Sequence, residues 1–129
     1  MGKVFLDTSA ILFSFRNKKD IFNIVSNVFP TSNAIISVGV IRELTKNGTN
    51  KGKKGSVART SLSILKSKNI KVDNIDMNVD NWIFKKASRF DVVVTNDTEL
   101  ISKLNKKRVT CFKVSKSGAL KKVMLIRGE

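Results

Sequence analysis

The sequence predicts a single α/β domain, residues 1–129, with a central and mostly parallel β-sheet. Short apolar segments rich in β-branched residues alternate with longer segments of helical periodicity, which is typical of parallel α/β folds. A length of 129 residues matches one domain. With 41% hydrophobic and 27% charged residues, the composition is that of a globular protein with an apolar core.

The first half of the chain is predicted to contain two strands and three helices. In order, these are a strand at 4–6, helices around 10–13 and 21–29, a strand at 34–38 and a helix through 40–44. Pro30 ends the second helix because proline cannot continue the hydrogen-bond ladder. The lysine-rich and glycine-rich stretch 46–59 is then predicted to be a mobile basic loop, although apolar periodicity indicates helix from residue 57 onwards.

The second half continues the same alternation. The predicted elements are a helix at 57–65, a strand at 70–72, a helix at 79–90, a strand at 92–94, a helix at 100–104 and a strand at 109–114. The strand at 92–94 consists of three valines, which indicates burial on both faces of a parallel sheet. Apolar residues at 123–126 predict an additional edge strand.

Missing residue types exclude several kinds of active site. The chain has no histidine, which excludes a Ser-His-Asp triad, a Cys-His pair and an HExxH zinc site. Its one cysteine, Cys111, can form neither an internal disulfide nor a cysteine-rich metal site. Acid, base or metal chemistry must therefore come from carboxylates, lysines, hydroxyls or water.

A formal net charge of +15 indicates a polyanionic partner, and nucleic acid is the leading candidate. Solubility alone is the alternative explanation for the excess of lysine. No apolar stretch approaches the ~20 residues that cross a bilayer, and no signal peptide follows Met1, so we expect no membrane association. The unpaired cysteine favours a cytoplasmic location.

Two carboxylates lie just past the carboxyl ends of predicted strands. Asp7 follows the first strand and Asp97 follows the valine strand, at the edge of a parallel sheet where ligands bind. Asp7 could instead be the N-cap of the helix that begins at Thr8. Because Asn96 and Glu99 have capping-box spacing, Asn96 is the predicted N-cap and Asp97 is predicted to be free for another role.

A third carboxylate, Asp80, shares a helix face with three apolar residues, Ile83, Phe84 and Ala87. That spacing predicts a carboxylate that faces the core, which is costly unless the group is paired or bound to a metal. The alternative places Asp80 in the first turn of its helix, where the helix dipole stabilises an acidic side chain.

Glu43 lies in a mostly apolar helical turn, and an ion pair with Arg42 or Lys46 is the simpler interpretation of it in isolation. Four carboxylates that converged would raise one another's pKa, and a divalent cation would relieve that repulsion. Ligands that are all oxygen favour Mg²⁺ or Mn²⁺. An acidic metal pocket in a basic protein suits phosphodiester hydrolysis.

Four motifs in order resemble those of the PIN-domain nuclease family, over nearly the whole chain. The segments that carry the resemblance are 4–9, 40–44, 80–83 together with Ala87, and 94–97. The resemblance implies a three-layer α/β/α sandwich with a central, mostly parallel sheet. It also implies a Mg²⁺ or Mn²⁺ site and endonucleolytic cleavage of RNA that leaves a 5′-phosphate.

The resemblance assigns site residues position by position. The acidic quartet, expected to hold the metal and carry catalysis, is Asp7, Glu43, Asp80 and Asp97. The supporting polar residues are Ser9 and Thr95, and Glu99 is an additional acid with a simpler capping role. Many family members carry a second acid where this chain has Asn81, so Asp73 and Asp76 are alternatives to Asp80.

The basic stretch resembles the ribosomal-RNA-processing branch of the family more than the toxins of toxin–antitoxin pairs. Its expected RNA-contacting residues are Lys46, Lys51, Lys53, Lys54 and Arg59, and a plain solvated linker is the alternative. RNA is thus the expected partner, with an antitoxin or a ribosome-assembly factor as a candidate protein partner and homodimerisation left open. A catalytically silent RNA-binding module of the same fold is the rival hypothesis.

Overall fold

The protein, as a computed structural model that describes residues 2–124, contains one six-stranded sheet. The strands are β1 (Lys3–Leu6), β2 (Asn33–Ser37), β3 (Lys71–Asp73), β4 (Val92–Val94), β5 (Thr110–Val114) and β6 (Leu120–Val123). Their order across the sheet is β3-β2-β1-β4-β5-β6. Strands β1 to β5 are parallel to one another and β6 is antiparallel to β5, which confirms the predicted mostly parallel α/β sheet.

The order of the strands reverses at β1. From β1 the chain adds β2 and β3 on one side, and it then returns to place β4 and β5 on the other side. In register, Val4 lies beside Val92 and Leu6 beside Val94. Such a switch point leaves a crevice at the carboxyl edge of the sheet, between the loops that follow β1 and β4.

Helices cover both faces of the sheet. They are α1 (Thr8–Arg16), α2 (Ile21–Val28), α3 (Val38–Asn47), α4 (Gly52–Lys66), α5 (Val79–Lys86) and α6 (Thr98–Lys106). Phe5 packs on Trp82 of α5, with ring centroids 5.2 Å apart, and Phe112 packs on Phe29 at the end of α2, at 5.5 Å. Phe5 aligns with Cys111 through Val93, so Phe112 projects from the opposite face and the fold has three layers.

The stretch predicted to be a mobile basic loop is mostly helical, and that prediction was wrong. Helix α4 begins at Gly52, which has φ +77°. Gly55 packs directly on the Asn50 carbonyl, where a Cβ atom would lie 1.8 Å from the oxygen. The two glycines therefore allow a tight turn into α4. Local composition alone predicts a flexible loop in this stretch.

Two other predicted boundaries differ from the structure. Helix α5 ends at Lys86 instead of residue 90, because Asp91 binds both the backbone N–H and the hydroxyl of Ser88 and turns the chain into β4. The edge strand predicted at 123–126 lies at 120–123, and residues 125 and 126 fall outside the described part of the chain. No helix within residues 2–124 has the length and apolar character needed to cross a bilayer.

Candidate active site

The Asp7 carboxylate lies at the switch point and is only 4% exposed. Its backbone N–H donates to the Val94 carbonyl at 3.0 Å, which ties the end of β1 to β4. Oδ2 accepts hydrogen bonds from Ser9 Oγ at 2.7 Å and from Thr95 Oγ1 at 2.6 Å. Although Asp7 occupies the N-cap position of α1, its side chain makes no capping hydrogen bond. The carboxylate is thus held across two loops and does not cap a helix.

The two hydroxyls also join the loops that follow β1 and β4. Their oxygens lie 3.2 Å apart. Ser9 Oγ accepts the Asn96 N–H at 3.0 Å, and Thr95 Oγ1 accepts the Asp97 N–H at 3.1 Å. Because each hydroxyl accepts from the β4 loop and donates to Asp7, their protons point at Oδ2 and fix its position. Within residues 2–124, Oδ1 of Asp7 accepts no hydrogen bond, so it is available to a ligand.

Asp97 is the N-cap of α6, and the prediction that Asn96 would cap this helix was wrong. One oxygen of Asp97, Oδ1, accepts from the N–H groups of Glu99 at 3.0 Å and Leu100 at 3.3 Å. Asn96 instead extends the pairing of β4 with β5, since its amide both donates to and accepts from the backbone of Val114. Spacing along the chain could not reveal this partner on a distant strand. The cap fixes Asp97 and leaves its second oxygen unused by the helix.

Asp80 is exposed in the first turn of α5, so the prediction of a carboxylate facing the core was wrong. Ile83 and Ala87 are buried as predicted, but Phe84 is 40% exposed. The buried stripe of α5 is centred on Trp82, which rotates Asp80 and Phe84 towards solvent. The alternative interpretation, an acid stabilised by the start of the helix, describes its position.

Glu43 lies half-buried in α3. Within residues 2–124 it forms an ion pair with neither Arg42 nor Lys46, and Arg42 pairs with Asp76 instead. The negative charge of Glu43 helps to raise the pKa of Asp7. The carboxylate of Glu43 therefore lies close enough to the switch point to act on it.

The two acids offered as alternatives to Asp80 have other partners. Asp73 Oδ2 accepts a hydrogen bond from Trp82 Nε1 at 2.9 Å, and Asp76 forms the surface ion pair with Arg42. Neither acid is among the largest contributions to the raised pKa of Asp80. Both are accounted for by local structural contacts.

Electrostatics link the remaining acids. Burial raises the pKa of Asp7, and the charges of Glu43 and Asp97 raise it further, while the hydroxyls of Thr95 and Ser9 oppose the shift. Desolvation likewise raises the pKa of Asp80, with contributions from the negative charges of Asp7, Asp97 and Glu99 and an opposing contribution from Lys103. Carboxylates that shift one another's pKa in this way lie at one edge of the sheet.

The donor set at this edge suits a hard divalent cation. All the candidate ligand atoms are carboxylate oxygens, and Asp7 has an oxygen that no hydrogen bond occupies. No three acidic, histidine or cysteine side chains within residues 2–124 form a ready-made metal cage. Mg²⁺ does not need such a cage, because it usually keeps several waters and binds one or two carboxylates together with phosphate oxygens of a substrate. The residues fit an ion of that kind.

The predicted RNA-contacting residues cluster at the junction of α3 and α4. Lys46 is in the last turn of α3, Lys51 immediately precedes α4, and Lys53 and Lys54 are in its exposed first turn. Arg59, which is also exposed, has a structural contact in addition, since its guanidinium donates to the carbonyls of Gly48 at 2.7 Å and Asn50 at 3.4 Å. Four lysines at this junction are therefore free of that contact, and Arg59 stabilises the turn between them.

Sequence reasoning missed two residues at this site. Lys103 of α6 is the positive charge that acts on Asp80, and its position four residues after Glu99 on a predicted helix is the signal that could have identified it. The hydroxyl of Thr8 is the one buried side-chain polar atom in residues 2–124 that lacks a hydrogen-bond partner, next to Asp7. No sequence pattern distinguishes this hydroxyl from an ordinary buried threonine.

Comparisons with known proteins agree with this architecture. A family model described as a PIN-like domain matches residues 4–116. Among solved structures, the PIN domain endonuclease Utp24 is similar with a TM-score of 0.76 and 22% identity, over 96% of this chain and 92% of that one. A domain of a functionally unknown protein from Methanocaldococcus jannaschii DSM 2661 is similar with a TM-score of 0.64 and 18% identity, over 99% and 100%. No curated protein sequence matches the chain.

Proposed function

The chain belongs to the PIN-like domain family, and from that premise we propose that it is a divalent-metal-dependent endoribonuclease that hydrolyses RNA phosphodiester bonds. The observation that carries the proposal is the state of Asp7. This carboxylate is buried at the switch point, held through one oxygen by two hydroxyls, and raised in pKa by burial and by its acidic neighbours. A carboxylate that is costly to ionise, with one oxygen left open, is what a cation site requires.

Each acid has a separate part in this proposal. Asp7 would hold Mg²⁺ or Mn²⁺ through Oδ1, together with Asp97 and Asp80, and Glu43 would complete the site directly or through water. The cation, when bound, would supply Lewis acidity for the attacking water and for the charge that develops on the phosphate. Ser9 and Thr95 keep Asp7 in place, and the helix cap keeps Asp97 in place, so neither carboxylate needs reordering when substrate arrives.

A basic exterior brings the substrate to this acidic edge. With 25 Lys and Arg residues against 10 Asp and Glu residues, the chain attracts polyanions, and the lysines at the α3–α4 junction would bind the RNA backbone. Processing of ribosomal RNA and action as the toxin of a toxin–antitoxin pair are the two biological settings we propose, in that order. The basic junction after Glu43 supports the first.

The direct test is cleavage of a structured RNA with Mg²⁺ or Mn²⁺, with EDTA as the control. Asp7→Asn and Asp97→Asn are informative variants. Asparagine at position 7 can still accept hydrogen bonds from the hydroxyls of Ser9 and Thr95, and asparagine at position 97 is still a good N-cap. We expect both variants to fold, to bind RNA and to lose cleavage. Cleavage that persisted in EDTA, or in either variant, would contradict the proposal.

The third acid has a matched control. Asp80→Asn and Asp76→Asn make the same charge change on neighbouring acids. The charges of Asp7 and Asp97 raise the pKa of Asp80, whereas Asp76 forms a surface ion pair with Arg42. We expect Asp80→Asn to lower the cleavage rate and Asp76→Asn to leave it close to that of the parent. The reverse result would move the site to the alternative acid.

A silent RNA-binding module is the second candidate function. It is favoured by the lack, within residues 2–124, of three acids arranged as a ready-made metal group. Binding of RNA that is independent of Mg²⁺ and Mn²⁺, with no cleavage by the parent protein over a range of structured and unpaired substrates, would support this second function.

A further inference from the structure

Two parallel helices lead away from the acidic edge. Helix α5 connects β3 to β4 and α6 connects β4 to β5, all parallel strands, so both helices run from the carboxyl edge of the sheet to its amino edge. They contact each other along the way. A ligand held at the acidic edge could continue along the line between them.

The exposed side chains along this line change from acidic to basic and aromatic. On α5, Asp80 is followed four residues later by Phe84, and on α6 and its end, Glu99 is followed at the same interval by Lys103 and Lys107. Four residues advance a helix by about 6 Å along one face. The line therefore carries acids at the active-site end, then an ammonium group, then an aromatic ring with a second ammonium group.

A direct contact of Lys107 and a charge interaction of Lys103 link the two helices. The charge of Lys103 acts on Asp80, and no ion pair holds Lys103 within residues 2–124. Lys107 Nζ lies 4.4 Å from the centroid of the Phe84 ring and donates to the carbonyls of Phe84 and Ala87 at the end of α5. Lys107 thus fixes the position of an aromatic ring that is 40% exposed.

Charge complementarity identifies the ligand as a polyanion. Exposed basic residues surround the line on the two helices and on the turns that follow them: Lys85, Lys86, Arg89, Lys103, Lys106, Lys107 and Arg108. The acids of these helices are confined to the active-site end. A fixed, exposed aromatic ring among cations suits a nucleic acid whose bases are unpaired, because each unpaired base has a face free to stack.

We propose that the line formed by Asp80, Phe84, Lys103 and Lys107 is a track for single-stranded RNA that leads to the acidic edge. Lys103 binds the phosphate next to the scissile bond, and Phe84, held in place by Lys107, stacks on the base that follows. The track deepens the proposed nuclease function, on which it rests for the position of the scissile bond. It adds a preference for an unpaired strand at the cut site, which the lysines of the α3–α4 junction do not provide.

The test is binding of a short unpaired oligoadenylate, measured by fluorescence anisotropy in EDTA so that no strand is cut. We expect Phe84→Leu to weaken binding about tenfold, as loss of one base–aromatic stack does. We expect Lys103→Gln to lower the slope of log Kd against log salt by about one, as loss of one phosphate contact does. Thermal unfolding of each variant verifies that the fold is retained.

Matched controls make the result specific to the track. Phe90→Leu removes a more exposed ring, 73% accessible and stacked on Arg89, that lies outside the line. Lys66→Gln removes one positive charge from the last turn of α4. We expect both controls to bind like the parent. A perfect RNA duplex should bind with an affinity that Phe84→Leu does not change.

Two outcomes separate this proposal from the nuclease proposal. If Phe84→Leu and Lys103→Gln bind the oligoadenylate as the parent does, the track is wrong even if Mg²⁺-dependent cleavage is observed. If both variants lose binding while the parent cuts no RNA with either metal, the track stands and the nuclease proposal fails. Equal losses from the track variants and their controls would overturn the track, because binding would then be diffuse charge attraction.

Discussion

Two buried aspartates at opposite ends of the same strand pair differ in the direction of their pKa shifts. Asp7 follows β1 at the carboxyl edge, and Asp91 precedes β4 at the amino edge. They are 4% and 8% exposed. Yet the pKa of Asp7 is raised and the pKa of Asp91 is lowered. Burial therefore does not by itself decide whether a carboxylate strains or stabilises the fold.

The difference comes from the donors that each carboxylate meets. Burial opposes the ionised form of Asp91 too, but its oxygens accept from the Lys3 N–H, the Ser88 N–H and the Ser88 hydroxyl, at 2.8 to 3.1 Å, and these bonds lower its pKa overall. Asp7 meets two hydroxyls and two negative neighbours. Asp91 accepts hydrogen bonds from backbone N–H groups that would otherwise lack a partner. The negative charge of Asp7 is not compensated in this way, and a cationic ligand could compensate it.

The largest effect we expect separates activity from stability at Asp7. Asp7→Asn should lower RNA cleavage more than about 100-fold, since loss of a ligand should exceed the 10- to 100-fold cost of losing an outer-shell partner. The same change removes a buried charge, so the free energy of unfolding at neutral pH should rise. Urea unfolding and a cleavage assay measure the two quantities. A clear loss of stability would contradict the view that Asp7 strains the fold.

Asp91→Ala should do the opposite. It leaves the N–H groups of Lys3 and Ser88 without acceptors, and because both residues are exposed and the bonds are only partly buried, we expect a loss of about 2 kcal/mol in unfolding free energy. Cleavage per folded molecule should be unchanged. Asp20→Ala, which removes the N-cap of α2, is the control and should cost about 1 kcal/mol. Equal losses of stability in Asp91→Ala and Asp20→Ala would show that Asp91 stabilises the fold no more than an ordinary helix cap.

Thr95→Val should affect activity through Asp7. It removes the hydroxyl that donates to Oδ2, so the pKa of Asp7 should rise further and the acidic limb of the pH–rate profile should move to higher pH. We expect a 10- to 100-fold loss of cleavage near neutral pH, as for other outer-shell partners of a metal ligand. Ser9→Ala should shift the profile in the same direction. A lower rate with an unmoved acidic limb would indicate simple damage to packing.

The pH dependence of stability should reveal the two aspartates separately. The pKa of Asp91 is depressed on folding, so its contribution is present above the ordinary value of 3.8 and is lost as the pH falls through the lower folded value. The pKa of Asp7 is raised, so its contribution is present below 3.8 and is lost as the pH rises through the higher folded value. Asp7→Asn should therefore stabilise the protein only at pH values above the ordinary value of 3.8, most strongly above the raised pKa of folded Asp7. Unfolding free energies measured at several pH values would show this. A uniform gain at all pH values would contradict this assignment.

The smallest effect we expect is at the turn between α3 and α4. Arg59→Gln removes the donor to the Gly48 and Asn50 carbonyls, and because the bonds are exposed we expect a loss of about 1 kcal/mol in unfolding free energy. Lys54→Gln, which removes the same charge without those bonds, should not change stability but should weaken RNA binding. Denaturant unfolding and anisotropy distinguish the two effects. A loss of RNA binding without a loss of stability in Arg59→Gln would contradict the structural contact and favour a direct contact of Arg59 with RNA.

Much of the fold could be predicted because its signals are local. The valine strand at 92–94 and the apolar period of the helices are visible in a short window of sequence. The errors fell where a distant partner decides the outcome. Asn96 binds β5 and so leaves the cap of α6 to Asp97, and Gly55 packs on the Asn50 carbonyl and so turns a predicted loop into helix. Asp80 was placed on the wrong face because Trp82, which packs on Phe5, sets the rotation of α5.

The sequence by itself determined the α/β class, the family resemblance and the small set of chemical groups available, since patterning and residue types are properties of the chain. Only the tertiary structure decided which of these groups act together. Thr95 donates to Asp7 across 88 residues of chain because strand order places β4 beside β1. The physical reason is that a pKa depends on the charges, donors and solvent around a group, and those surroundings come from residues far away along the chain.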